Sequence, residues 1–385
     1  MKILLHIGQS KTGTSAIQSF LCLNRLHLRR EGVLYPSVIV KGLPLALASH
    51  NAVADSLVGL SRFPHLTADE YFEQFFHEAQ QTNAHLMILS AEHFFGGEPR
   101  IWDVSSAEEY YQKYRLKLEN LAGFLSGHEV NVLAYLRPQV DWLASAISQT
   151  IRIEGLIARH LYKNDVQFFE MVKPLLNYTA LIELWKEVLT PSQLTIVPYE
   201  TSGLYGQSSI SDFLHRVRLS HLDLPFKDVN QRINQSLSRE FIEVKKKINL
   251  THRTKVEERT IIACLEKLSK KSPFGTSYRL SDELVLRISK YVEHENLELN
   301  EKFIVSGMLL EAESPYHKEI SFKELSPEVV DDAYVVFRKK YGSLNIRLIL
   351  IGNEIRSFLR NHFQRLHSLT HQLRRLQYWL YVNSH

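Results

Sequence analysis

The sequence predicts an α/β fold, a parallel sheet flanked by helices, with a mostly helical C-terminal part. Three observations lead to this. Short, continuous apolar runs alternate with segments of helical period as far as Pro198, which is how strands buried on both faces of a parallel sheet read. A glycine-bounded loop joins the first run to the first helical segment. Beyond about residue 235 the strand-like runs cease and the pattern is almost wholly helical.

Taken in order, Lys2–Ile7 reads as a short buried strand and Ser15–Glu31 as a helix, with Ile17, Phe20, Leu21 and Leu28 at helical spacing. Gly32 ends that helix and Tyr35-Pro36 breaks the chain. Residues 37–66 are loop-rich, with Gly42, Pro44, Gly59 and Pro64, and are expected to form a substrate rim. Thr67–Thr82 is a predicted helix with Asp69 and Glu70 in its first turn, and His85–Ser90 a second strand. A helix over Ser105–Ser126 leads to a third strand, Glu129–Leu136, and a further helix runs from about Val140 to Glu154. Tyr178–Leu189 reads as helical and Leu194–Pro198 as the last strand. The expected division is an α/β nucleotide-binding domain over 1–245 and a helical extension over 246–385.

Composition narrows the function classes. The 385 residues are 44% hydrophobic and 23% charged, as in ordinary globular proteins, and the net charge is only +4. That balance suits an anionic small ligand and calls for no nucleic-acid partner. Two cysteines, Cys22 and Cys264, provide neither a disulfide framework nor a metal cluster, so a reducing cytoplasm and no metal are expected. The opening Met1–Ile7 is too short and too soon polar for a secretory segment, which needs roughly 7–15 apolar residues. No run approaches the ~18–20 apolar residues of a membrane span.

The chemistry is concentrated in Gly8-Gln-Ser-Lys-Thr-Gly-Thr-Ser15. A loop between strand and helix aims backbone amides and a helix dipole at an anion. Gly8 and Gly13 have the G-x-x-x-x-G spacing of an ATP-binding P-loop, but Thr14-Ser15 follow where Lys-Ser/Thr is required, and the lysine comes earlier, as Lys11. The strand ending near Leu89 continues as Ser90-Ala-Glu92 and lacks the magnesium-binding acid of a nucleotide hydrolase. The loop is therefore expected to grip a phosphorylated donor other than ATP.

Lys11-Thr12-Gly13-Thr14-Ser15 after an apolar strand resembles the 5′-phosphosulfate loop of sulfotransferases, which use 3′-phosphoadenosine 5′-phosphosulfate (PAPS) and share the P-loop fold. A second resemblance is independent. That family ends a later strand with an arginine and places a serine eight residues on, both holding the donor's 3′-phosphate; here these are Arg137 and Ser145. An arginine fork suits phosphate oxygens, and Pro138 stops the strand and starts the helix. Tyr178, Trp185, Pro198-Tyr199-Glu200 and Asn234–Ser238 also look like bacterial members of the superfamily. The C-terminal Arg-Lys-Gly loop of the cytosolic enzymes has no counterpart; Arg232 is its nearest substitute.

The resemblance implies sulfuryl transfer to a hydroxyl or amine, with a saccharide or small molecule as acceptor and no metal. Such transfer needs a base at the acceptor and a cation on the leaving bisphosphate. Lys11 takes the second role. Glu92, after the second strand and similar to the Glu-x-x-Phe-Phe stretch of heparan-type sulfotransferases, is the first candidate base, with one residue missing before its aromatics. His50 and His93 compete with it. The rival readings are a P-loop kinase or nucleotide hydrolase and a non-catalytic binding protein of the same fold. The stretch Asn345–Tyr381, apolar residues interleaved with arginines, reads as a helix for packing, self-association or a membrane surface.

Overall fold

The computed structural model of the chain describes residues 1–38, 47–59, 66–97, 99–157, 161–225, 237–250, 254–270, 277–304, 309–318, 322 and 324–341. In chain order the elements are β1 (Lys2–His6), α1 (Thr14–Leu23), α2 (Arg25–Arg30), β2 (Val33–Leu34), α3 (Asn51–Ser56), α4 (Ala68–Gln81), β3 (Leu86–Ser90), α5 (Glu92–Phe95), α6 (Ala107–Leu125), β4 (Glu129–Leu136), α7 (Gln139–Ile157), α8 (Asp165–Leu176), α9 (Tyr178–Leu189), β5 (Gln193–Pro198) and α10 (Ser209–Arg216). The helical part follows as α11 (Arg239–Asn249), α12 (Lys255–Ser269), α13 (Asp282–Phe303), α14 (Pro315–Lys318) and α15 (Pro327–Tyr341).

The five strands form one sheet in the order β2-β3-β1-β4-β5, and every neighbouring pair is parallel. Apolar side chains cover both faces. Leu4, Ile88, Leu133, Tyr135 and Val197 meet Ile17, Phe20 and Leu21 of α1 and Phe213 of α10 on one side. Ile3, Leu5, Met87, Leu89, Val132 and Ala134 meet Phe75, Leu118, Leu181 and Trp185 on the other. The α/β architecture expected from the apolar runs is therefore present.

This order marks where a candidate site would lie. The connection leaving central β1 runs toward the β2 edge, whereas the one leaving its neighbour β4 runs toward the β5 edge. Adjacent parallel strands whose connections diverge open a crevice at their C-terminal ends, where open α/β sheets bind ligands. The Gly8–Gly13 loop and Arg137 border that crevice.

Several elements differ from expectation. The helix over Ser15–Glu31 is broken at buried Asn24, whose side-chain amide donates to the Phe20 carbonyl at 3.0 Å and leaves the backbone at φ −94°, ψ 8°. A side chain that bonds its own backbone competes with helix propagation. Strand β2 has two residues, too few to show a period. Within 37–66, the described residues include the short, buried helix α3. Helices α8, which contains Pro174, and α10 are not among the elements predicted from the sequence.

Helices α11 and α12 pack on α7, and α13 packs on α7 and α9. One apolar cluster runs from Ile147 and Ile151 of α7 into Phe241, Ile248, Ile261, Leu265 and Ile288. A buried ion pair, Lys245 to Glu258 at 2.9 Å, joins α11 to α12. Among the described residues no helix is long and apolar enough to cross a membrane. Arg232 and the stretch Asn345–Tyr381 lie outside the described residues.

Candidate functional site

Strand β1 pairs with β4 beyond its own end: Ile7 N–H donates to Leu133 O, Tyr135 N–H to Gly8 O, and Gln9 N–H to Tyr135 O at 2.7 Å. The chain then turns sharply. Gly8, Lys11 and Gly13 have φ of 101°, 72° and 76°, the left-handed region that glycine enters freely and lysine seldom does. The Thr12 hydroxyl donates to the Gln9 carbonyl and ties the turn. Helix α1 starts at Thr14 with Gly13 as its uncapped N-terminal residue.

Among the described residues, none of the backbone amides of Lys11 through Ser15 has a hydrogen-bond partner. Consecutive free amides at a helix N-terminus form an anion-binding concavity. Thr12 and Thr14 are buried, while Lys11, Gly13 and Ser15 are half-buried.

Arg137 is anchored to this loop through its backbone. Gln9 Oε1 accepts the Arg137 N–H at 3.3 Å, Gln9 Nε2 donates to the Tyr178 hydroxyl at 2.9 Å, and that hydroxyl donates to the Arg137 carbonyl at 3.0 Å. Trp142 Nε1–H donates to Ser10 Oγ at 3.3 Å, so α7 also holds the loop. With its backbone committed, the Arg137 guanidinium is left with no ion pair or hydrogen bond among the described residues. Ser145 lies half-buried on α7, two turns in.

Lys11 likewise has no acid within salt-bridge range among the described residues. Burial, then the charges of Arg152 and Arg137, push its ammonium down to about 8, against the opposing pull of Glu92. Positive groups converge here without a matching number of acids, which favours a bound anion.

Glu92 opens α5 at the end of β3, directly beside the loop: a Cβ on Gly8 would lie 3.0 Å from Glu92 Cα. Both carboxylate oxygens are held, one by Gln18 Nε2 at 2.8 Å and the other by Asn51 Nδ2 at 3.0 Å. Asn51 Oδ1 also accepts the His93 N–H at 3.3 Å. His93 Nδ1 lies 2.8 Å from an oxygen of buried Asp55.

His50 is placed differently from expectation. It is fully buried, with Nδ1 accepting the Ser90 N–H at 3.1 Å and Nε2 within 3.2 Å of the Pro36 carbonyl. Burial drives its pKa down to about 3. A neutral imidazole with both nitrogens occupied cannot reach an acceptor, so His50 clamps Ser90 and Pro36 together instead of serving as a base. A sequence shows the histidine but not its burial.

Gln9, Gln18, Asn51 and Arg152 were not singled out from the sequence. Gln18 could have been, because it interrupts the inward stripe of α1 (Thr14, Ile17, Leu21) with a polar group. The described residues contain no cluster of three or more metal-ligating side chains. In comparisons with known proteins the chain matches no family model, no curated protein and no solved structure.

Proposed function

We propose that the chain is a sulfotransferase of P-loop type that moves the sulfuryl group of PAPS to a hydroxyl or amine of an acceptor, a saccharide being the favoured class. The observation that carries this reading is the pair of cations without ion-pair partners among the described residues, Lys11 and Arg137, which act on each other at the β1/β4 switch point where the loop leaves a row of free amides. Two separated anion positions suit a donor phosphorylated at both 3′ and 5′ ends. The loop amides and Lys11 would hold the 5′-phosphosulfate, and Arg137 with Ser145 the 3′-phosphate, as the family resemblance implies.

In the proposed step the acceptor oxygen or nitrogen bonds to sulfur while the bond from sulfur to the bridging phosphate oxygen breaks. The electron pair leaves with that oxygen, whose charge Lys11 offsets. The acceptor's proton passes to Glu92, which Gln18 and Asn51 hold in one orientation. A base so fixed contributes about 10²–10⁴-fold to the rate.

The test uses PAPS labelled in the sulfuryl group and a panel of neutral and amino oligosaccharides. Label should pass to an acceptor, and Glu92→Gln should reduce transfer by about 10²-fold or more while donor binding is kept. Full activity in Glu92→Gln moves the base to His93. Transfer of the γ-phosphoryl group of ATP, with none from PAPS, replaces the sulfotransferase with a kinase.

A further inference from the structure

We propose, resting on the sulfotransferase reading, that Arg152 holds the transferable sulfuryl group, and that Glu266 of α12 occupies its guanidinium while no donor is bound. The argument starts from α7. Arg137 lies two residues before the start of this helix, Ser145 is nearly two turns in, and Arg152 follows seven residues later on nearly the same stripe, about 10 Å farther along the axis.

Arg137 and Arg152 are therefore separated by roughly 20 Å of rise, more than one donor phosphate can bridge. The Lys11 ammonium is pushed down by the charges of both Arg152 and Arg137, so both guanidinium groups act on the one loop. On the proposed reading, a donor with its 3′-phosphate at Arg137 and its 5′-phosphate at Lys11 leaves Arg152, the other cation that acts on Lys11, for its terminal group.

Arg152 has the chemistry for that position. It is half-buried, and one nitrogen, Nη1, makes a short ion pair with Glu266. Among the described residues its other N–H groups have no partner, which leaves part of a five-donor fork free. The non-bridging oxygens of a sulfuryl group are planar-fork acceptors of the kind arginine binds best. Glu266 supplies the same two features, negative charge and carboxylate oxygens. The segment is held firmly, since Asn249 of α11 donates to Ile151 O and to Glu154, both at 2.9 Å.

The probes are PAPS and its desulfated product, 3′-phosphoadenosine 5′-phosphate, titrated calorimetrically without acceptor. Arg152→Ala should weaken PAPS about tenfold or more, the usual loss for a charge-assisted contact, and change the product's affinity less than about threefold. Glu266→Gln should tighten PAPS, because a competing anion is removed, and leave the product unchanged; this second variant decides the matter if Arg152→Ala does not fold. Arg137→Ala should weaken both ligands. Equal loss of both in Arg152→Ala, or loss of neither, overturns the proposal while the sulfotransferase reading stands. Wild-type protein that binds neither ligand overturns both.

Discussion

Lys11 is charged in a place that opposes its charge. Its ammonium is half-buried, has Arg152 and Arg137 nearby, and is pushed down to about 8 from the ordinary 10.5. The unfolded chain keeps the ordinary value, so between pH 8 and 10.5 it binds more protons than the folded chain. The penalty on folding is thus complete below pH 8 and fades as pH rises toward 10.5. Lys11→Met keeps the stem and removes the charge. It should raise the thermal midpoint at pH 7, raise it less at pH 10, and weaken 3′-phosphoadenosine 5′-phosphate at least tenfold. A lower midpoint at pH 7 would mean that the ammonium is satisfied within the protein. In the wild type, affinity for the same ligand should decline as pH rises through 8, because only the protonated amine attracts the anion.

The loop between β1 and α1 is an element whose shape depends on Gly13. Its φ is 76°, and a Cβ there would lie 2.7 Å from Ser209 Oγ and 3.1 Å from the Tyr199 hydroxyl. Gly13→Ala combines a left-handed penalty of about 1–2 kcal/mol with that clash. Urea unfolding should show a loss of about 1–3 kcal/mol, and the additional Ser209→Gly change should restore the steric part. No loss in Gly13→Ala would show that the turn relaxes freely. The longer elements were legible in sequence because their signals are local: the apolar runs at β1, β3, β4 and β5, and the glycines and lysine of the loop. Arg137 could be read from its place after an apolar run. The partners of Glu92 could not, since Gln18 and Asn51 come from α1 and α3 and meet it only when β1 and β3 pair. The break at Asn24 and the burial of His50 were hidden for a related reason: each depends on which backbone groups a polar side chain meets after packing.

At the scale of the whole molecule, strand order sets the location of the candidate site. Central β1 and its neighbour β4 send their connections apart, so a loop and an arginine 126 positions farther along the chain, from Lys11 to Arg137, come together at the C-terminal ends of adjacent strands. The helical C-terminal part is joined to that crevice through α7, and its Glu266 pairs with Arg152 beside the same cations. The central claim is that Lys11 and Arg137 form two linked anion positions for a 3′,5′-bisphosphorylated donor. Titration of 3′-phosphoadenosine 5′-phosphate against ATP–Mg²⁺, on wild type and on Arg137→Ala, addresses it most directly. The account predicts that the bisphosphate binds more tightly than ATP and loses about tenfold or more in Arg137→Ala, the scale of a lost charge-assisted contact. Tighter binding of ATP, or bisphosphate binding indifferent to Arg137, would contradict it.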